Sequence, residues 1–173
     1  MSSFSMIKKD QQFLVCNSDG VVLAEIHKLH AAPYEKGHAF IYKSKDNASA
    51  IHLGIKKGRL LFAQYLLQIE SESYTLQDHK AKTLLYFAVS GKINGKQIDV
   101  EENWNEHIDL RVAGEKVAIL KPYAIRSGAN IDIVHEAKNE LYLSILALFY
   151  FMYQIYKEET AFVEDLIEEA LEF

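Results

Sequence analysis

Five carboxylates crowd one short stretch of the chain: Asp99, Glu101, Glu102, Glu106 and Asp109 surround the single tryptophan, Trp104. Two carboxylates held at a fixed separation across a cleft can hydrolyse a glycosidic bond, one as acid and one as base or nucleophile. No cleft can be read from this spacing. The same residues make an ordinary solvated hairpin carrying a half-buried tryptophan, and that reading is preferred because Asp and Glu are mostly exposed. An enzyme or small-molecule-binding barrel that uses this region is kept as the alternative.

The other reactive residues fare similarly. His27 and His30 lie three apart at the end of an expected strand, with His38 eight residues further on. Strand residues three apart face opposite sides and there is no His-Glu-x-x-His pattern, so shared metal ligation would need a turn between them. Cys16 closes the apolar run Phe13-Leu14-Val15-Cys16, where a free cysteine acts as a small core hydrophobe rather than a nucleophile. Gly91-Lys92-Ile93-Asn94-Gly95-Lys96 lacks the spacing and the Ser/Thr of a phosphate loop and reads as a hairpin. There is no serine nucleophile elbow and no dinucleotide fingerprint. No catalytic residue, metal or cofactor is therefore expected.

With 173 residues, 49% hydrophobic and 25% charged, the chain suits one domain with a sizeable core. A formal net charge of -5 argues against a general nucleic-acid binder, which needs an excess of Lys and Arg to neutralise phosphates. One cysteine excludes an intramolecular disulfide and a cysteine-based zinc site, and fits a reducing compartment. MSSFSMIKKDQQF at the start has no apolar run of signal-peptide length, so the expected location is the cytoplasm.

The elements that must position these residues are marked by punctuation. All eight glycines and both prolines precede residue 129, and the last 45 residues contain neither. That asymmetry predicts a turn-rich β region followed by uninterrupted helix. Short apolar runs alternate with period two, as in Ile108, Leu110 and Val112 against His107, Asp109 and Arg111. Asn94-Gly95 is the dipeptide preferred by a type I′ hairpin turn. The runs predict about twelve strands within 1–136, among them 59–70, 83–90 and 92–93 with 97–100. The 60–69 stretch could equally form a buried helix.

Residues 141–156, LYLSILALFYFMYQIY, carry no charge, and only Ser144 and Gln154 fall outside the apolar set. A helix apolar on every side must be surrounded by lipid or by protein. Sixteen residues rise about 24 Å, short of the roughly 30 Å of a bilayer core, which favours protein and leaves a single-helix membrane anchor as an alternative. A helix is too wide for an eight-stranded barrel but fits one of eleven or twelve strands. The expected fold is mainly β with C-terminal α: a closed antiparallel barrel around a central apolar helix at 137–157. An extra acidic amphipathic helix is expected at 160–172. Residues 157–173 carry a net charge of -6, which leaves the first 156 residues at +1. The acidic polar face is wrong for an anionic lipid surface, so this second helix is expected to cap the barrel or to hold a protein partner or a second copy of the chain.

Three stretches carry a family resemblance: QQFLVCNSDGVVLAEI, YTLQDHKAKTLLYFAVSGKINGK and NELYLSILALFYFMYQIY. The chain resembles the superfamily of tubby C-terminal domains, LURP-one-like proteins and phospholipid scramblases, and its bacterial branch in particular. The resemblance spans nearly the whole chain as one domain, 1–173, and departs from the family at the acidic helix. It implies a mostly non-catalytic barrel that binds a lipid headgroup or a protein, with peripheral membrane attachment in the first case. In the tubby branch a cationic pocket with a Lys-x-Arg element holds phosphoinositide headgroups. The corresponding residues here are Lys57 and Arg59, with Lys56 adjacent.

Overall fold

A computed structural model describes residues 1–46, 50–57, 62–134 and 139–171. Twelve strands run in chain order. These are β1 (Ser2–Lys9), β2 (Gln12–Asn17), β3 (Val22–Lys28), β4 (Ala39–Ser44), β5 (Ala50–Lys57) and β6 (Gln64–Ile69). They continue as β7 (Glu72–Asp78), β8 (Ala88–Ile93), β9 (Lys96–Glu102), β10 (Ile108–Val112), β11 (Glu115–Pro122) and β12 (Gly128–Ile133), followed by the helix α1 (Asn139–Leu171). Each strand pairs antiparallel with its sequence neighbours, and β12 returns to β1 with Ser2 opposite Ile133, so the sheet closes. Closure removes both edges and their unpaired backbone groups.

The hairpins follow local chemistry. Asn94 and Gly95 both have positive φ, 50° and 74°, as a type I′ turn requires between β8 and β9. Within the 60–69 stretch, β6 pairs to β5 and β7 as a strand, whereas residues 60 and 61 lie outside the described residues. Residues 83–90 do not form the single strand that their apolar run suggests. The backbone coils from His79 to Tyr86, with Thr83 N–H donating to the His79 carbonyl at 2.9 Å and Tyr86 N–H to the Lys82 carbonyl at 3.0 Å. The Thr83 hydroxyl closes this loop onto the Ala88 carbonyl at 2.6 Å. Only from Ala88 does the chain join the sheet.

Every residue from Leu143 to Tyr153 is buried, whichever way it points from the helix axis. Around that axis Phe151 stacks on Phe40 of β4 with centroids 4.1 Å apart and meets Phe13 of β2 edge-on at 4.9 Å. Phe149 lies against Tyr65 of β6 at 6.0 Å, and Tyr150 bonds to the start of β12. The helix is therefore sheathed by strands all round and fills the lumen with side chains. No described helix is long and apolar enough to cross a membrane, and residues 141–156 serve as core instead of anchor.

The two expected helices, 137–157 and 160–172, are one continuous helix. Lys157, Glu158 and Glu159 are good helix formers with no glycine or proline among them, so the change in polarity does not interrupt the backbone. Thr160, where a second helix was expected to begin, instead bonds its hydroxyl back to the Tyr156 carbonyl at 2.8 Å, inside the same helix. The charge change at Lys157 marks where α1 leaves the barrel.

Candidate functional site at the barrel mouth

The ends of the odd-numbered strands and the starts of the even-numbered ones form the rim through which α1 emerges. Most of the residues singled out from the sequence lie on or near this rim, and their surroundings separate them.

The carboxylates are occupied by the protein itself. Glu102, at the end of β9, accepts a hydrogen bond from the Tyr153 hydroxyl at 2.9 Å and from the Phe87 N–H at 3.2 Å, and Lys157 Nζ lies 3.3 Å away. Burial, reinforced by Glu102, pushes the Tyr153 hydroxyl pKa up, which keeps it a donor. Glu101 faces the opposite side of the strand and pairs with Lys82 at 2.6 Å. Asp109 pairs with Lys116 at 2.8 Å and accepts from Asn103 at 3.1 Å. Asp99 accepts from Gln97 at 2.9 Å. Glu106 lies 3.9 Å from the same Lys157 Nζ that approaches Glu102. Trp104, expected to be half-buried, is fully exposed on the β9–β10 loop, because Asn103 turns the chain outward by accepting N–H bonds from Asn105 and His107.

The histidines are dispersed. His27 on β3 faces Glu25 at 3.4 Å, and His38 Nδ1 lies 3.6 Å from Glu35. His30 lies beside His27 in a shallow groove with Asp10. Among the described residues no three His, Cys, Asp or Glu side chains are grouped to hold a metal ion. Cys16 is buried in β2.

One open cleft sits where α1 emerges between β1–β4 and the start of β12. It encloses about 590 Å³, and Phe13, Phe40, Tyr150 and Phe151 contribute its aromatic surface. Lys8 and Lys28 bring positive charge to its edge, and Asp10 and Glu158 bring negative. Lys56 and Lys57 are exposed at the end of β5 on the same rim. Arg59 lies outside the described residues.

Beyond Thr160 the helix stands clear of the barrel, with residues 161–171 all exposed. At 100° per residue, Phe162, Leu166, Ala170, Val163, Ile167 and Leu171 cover roughly half of its circumference. Glu158, Glu164, Asp165, Glu168 and Glu169 occupy the other half. Tyr156 falls within the apolar arc and bonds its hydroxyl to the Thr83 carbonyl at 3.3 Å, so the arc faces the side of the β7–β8 loop. On that loop Leu84 and Leu85 are 68% and 82% exposed. The helical stripe is legible from the sequence; the rim leucines are not, since the apolar run they belong to imitates a strand.

No family model matches the chain, and no curated protein matches it in sequence. Its structure is similar to an X-ray structure of a protein from Arabidopsis thaliana, with a TM-score of 0.51 and 12% identity over 86% of this chain and 88% of that one. At this identity the likeness is one of fold. The fold is the closed twelve-stranded barrel with its C-terminal helix, the architecture implied by the resemblance to tubby-like and LURP-one-like domains.

Proposed function

We propose that the protein is a non-catalytic binding module of the tubby-like and LURP-one-like kind, in which a rigid barrel holds out a pre-formed amphipathic helix to a protein. The observation that carries this reading is the contrast along α1: Leu143 to Tyr153 is buried on all sides, whereas Phe162, Val163, Leu166 and Ile167 stand 48–64% exposed. Contiguous exposed apolar surface on a soluble domain marks an interaction site. A helix already ordered avoids the entropy cost of folding on binding. Its acidic polar half argues against lying on an anionic membrane.

The test is a photo-crosslinking residue placed at Leu166 or Asp165 in cells. Leu166 should yield a protein adduct and Asp165, on the acidic half, should yield far less. Equal or absent adducts at both positions would sink the reading.

A second reading, binding of an anionic lipid headgroup, draws support from Lys8, Lys28, Lys56 and Lys57 around the aromatic cleft rim. It carries a cytoplasmic protein to a membrane periphery. Co-sedimentation with phosphatidylcholine vesicles, with and without a phosphoinositide, tests it. Binding should require the phosphoinositide and fall in Lys57→Glu and Arg59→Glu; no binding, or binding indifferent to both substitutions, removes it.

A further inference from the structure

We propose that the open cleft beside α1 binds a small zwitterion with an apolar body. Lys8 and Lys28 hold its anionic group, Glu158 and Asp10 its ammonium group, and the body lies on the rings of Phe13 and Phe40. The inference goes beyond both readings above, since it uses neither the outer part of α1 nor Lys56, Lys57 and Arg59.

Strand register places the cations. Residues opposite one another on neighbouring antiparallel strands share a face of the sheet. Lys8 stands opposite Phe13 and Phe13 opposite Ile26, while Lys28 stands opposite Phe40 and Phe40 opposite Leu53. Ile26 and Leu53 are core residues, so this face is the lumen. Lys8 and Lys28 therefore take the last lumen-facing positions of β1 and β3, where the positions one step further in, Met6 and Ile26, are apolar and buried. A lysine at a rim can reach water along its own stem. Yet Lys82, Lys116, Lys121 and Lys157 each have a carboxylate within 2.6–3.3 Å, whereas among the described residues neither Lys8 nor Lys28 has an ion-pair partner.

The opposite charge comes from the helix and the turn. Glu158 lies one helical turn beyond Gln154 and both line the cleft, so this face of α1 brings a carboxylate to it. Asp10, in the turn between β1 and β2, adds a second. Neither carboxylate is ion-paired among the described residues. Two cations and two carboxylates thus stand unneutralised around one cleft of about 590 Å³, a size that suits a small ligand. Its floor is ready for an apolar body: Phe13 and Phe40 are only half-buried, and Phe151 backs Phe40 with centroids 4.1 Å apart. A simple anion would meet the lysines but face both carboxylates, and a simple cation the reverse. A ligand with both charges on one body offsets all four.

Two sources offer this chemistry, a free amino acid with an apolar side chain and a single-chain phosphocholine lipid, and a saturation-transfer NMR titration of the full chain separates them. Phenylalanine, 3-phenylpropionate and phenethylamine share one body and differ in charge. Dodecylphosphocholine below its micelle-forming concentration, with dodecyl phosphate and dodecyltrimethylammonium beside it, does the same for the lipid. One zwitterion should bind saturably, and its two single-charge analogues should bind about fivefold more weakly or worse. Lys8→Met with Lys28→Met, and separately Glu158→Gln, should each weaken that zwitterion by a similar factor. All three residues are exposed, and circular dichroism checks that the variants fold. If neither zwitterion binds at millimolar concentration, the proposal is overturned. It is equally overturned by an anionic analogue that binds as tightly as its zwitterion, or by binding indifferent to the lysine pair or to Glu158. None of these results touches crosslinking at Leu166 or the vesicle test of Lys57, so the failure of this site is distinguishable from the failure of either reading above.

Discussion

The backbone N–H of Gly128, the first residue of β12, donates to the hydroxyl oxygen of Tyr150 on the central helix at 2.9 Å. This bond ties the lumen-filling helix to the strand that closes the barrel. Gly128 has a φ of 125°, and a Cβ built there would lie 2.2 Å from the Met6 carbonyl oxygen on β1. The close approach of β1 and β12 at this point thus depends on the absence of a side chain.

Removing the acceptor alone should be measurable. Tyr150→Phe leaves a buried N–H without its partner and should lower stability by roughly 1–3 kcal/mol, read as a drop in the urea midpoint. Gly128→Ala should cost more, because both the backbone conformation and the contact with Met6 oppose it.

The coil at 79–86 sets a contrast between neighbours. Phe87 is fully buried against Phe149, Tyr153 and Tyr156, with centroids 5.5–6.4 Å apart, whereas Leu85 is 82% exposed. Phe87→Ala should cost about 3–5 kcal/mol in chemical unfolding. Leu85→Ala should stay within about 0.5 kcal/mol in the monomer. Equal effects would indicate that 83–90 runs as a strand after all.

That pair also shows how far the residues disclose the fold. Period-two alternation and turn residues locate nearly all the strands, because a closed barrel filled by a helix buries the inward face of every strand and leaves the outer one wetter. The apolar run misleads at 83–90, where Thr83 bonds to the Ala88 carbonyl and the loop exposes both leucines; that bond leaves no trace in hydropathy. The break expected before Thr160 has a similar origin, since hydropathy reports what surrounds a helix and Lys157 reports only the exit from the barrel. Lys56 and Lys57 are exposed at the end of β5, a placement that assigns them no ligand. The partners of Glu102 come from Phe87, Tyr153 and Lys157, too distant along the chain for spacing to reveal.

On the outer wall, Asp132 receives the Ser3 hydroxyl and Lys121 Nζ, each at 2.7 Å. Burial works against its ionisation, yet the bonds from Lys121 and Ser3 outweigh it and hold the carboxyl below the usual range. A folded pKa depressed below the unfolded value stabilises the protein above about pH 3.9, and the contribution is lost as pH falls through the folded value. Lys121→Met should raise the Asp132 pKa, as read by carbon NMR. The stability gap between variant and wild type should be widest at neutral pH and shrink as Asp132 protonates.

Trp104 is the only tryptophan and is fully exposed. Its emission in the native protein should already resemble that of the unfolded chain, so urea should shift the maximum little. Trp104→Ala should leave the unfolding midpoint within about 0.5 kcal/mol of the wild type. A ligand that covers the β9–β10 side of the mouth should move the emission to the blue, which gives a direct optical assay for occupancy.

The pairing of Ser2 with Ile133 has a bearing on synthesis. β1 leaves the ribosome early and waits, with one side unpaired, for a strand made about 130 residues later. The apolar helix that fills the interior follows later still. The nascent sheet must therefore stay open along the β1–β12 seam until α1 has been made and drawn in, exposing a hydrogen-bonding edge and an apolar inner wall meanwhile. Long-range closure of this kind is slow and prone to aggregation. A chain truncated before residue 139 would hold all twelve strands and still lack what they fold around, so its expected fate is aggregation rather than an empty barrel.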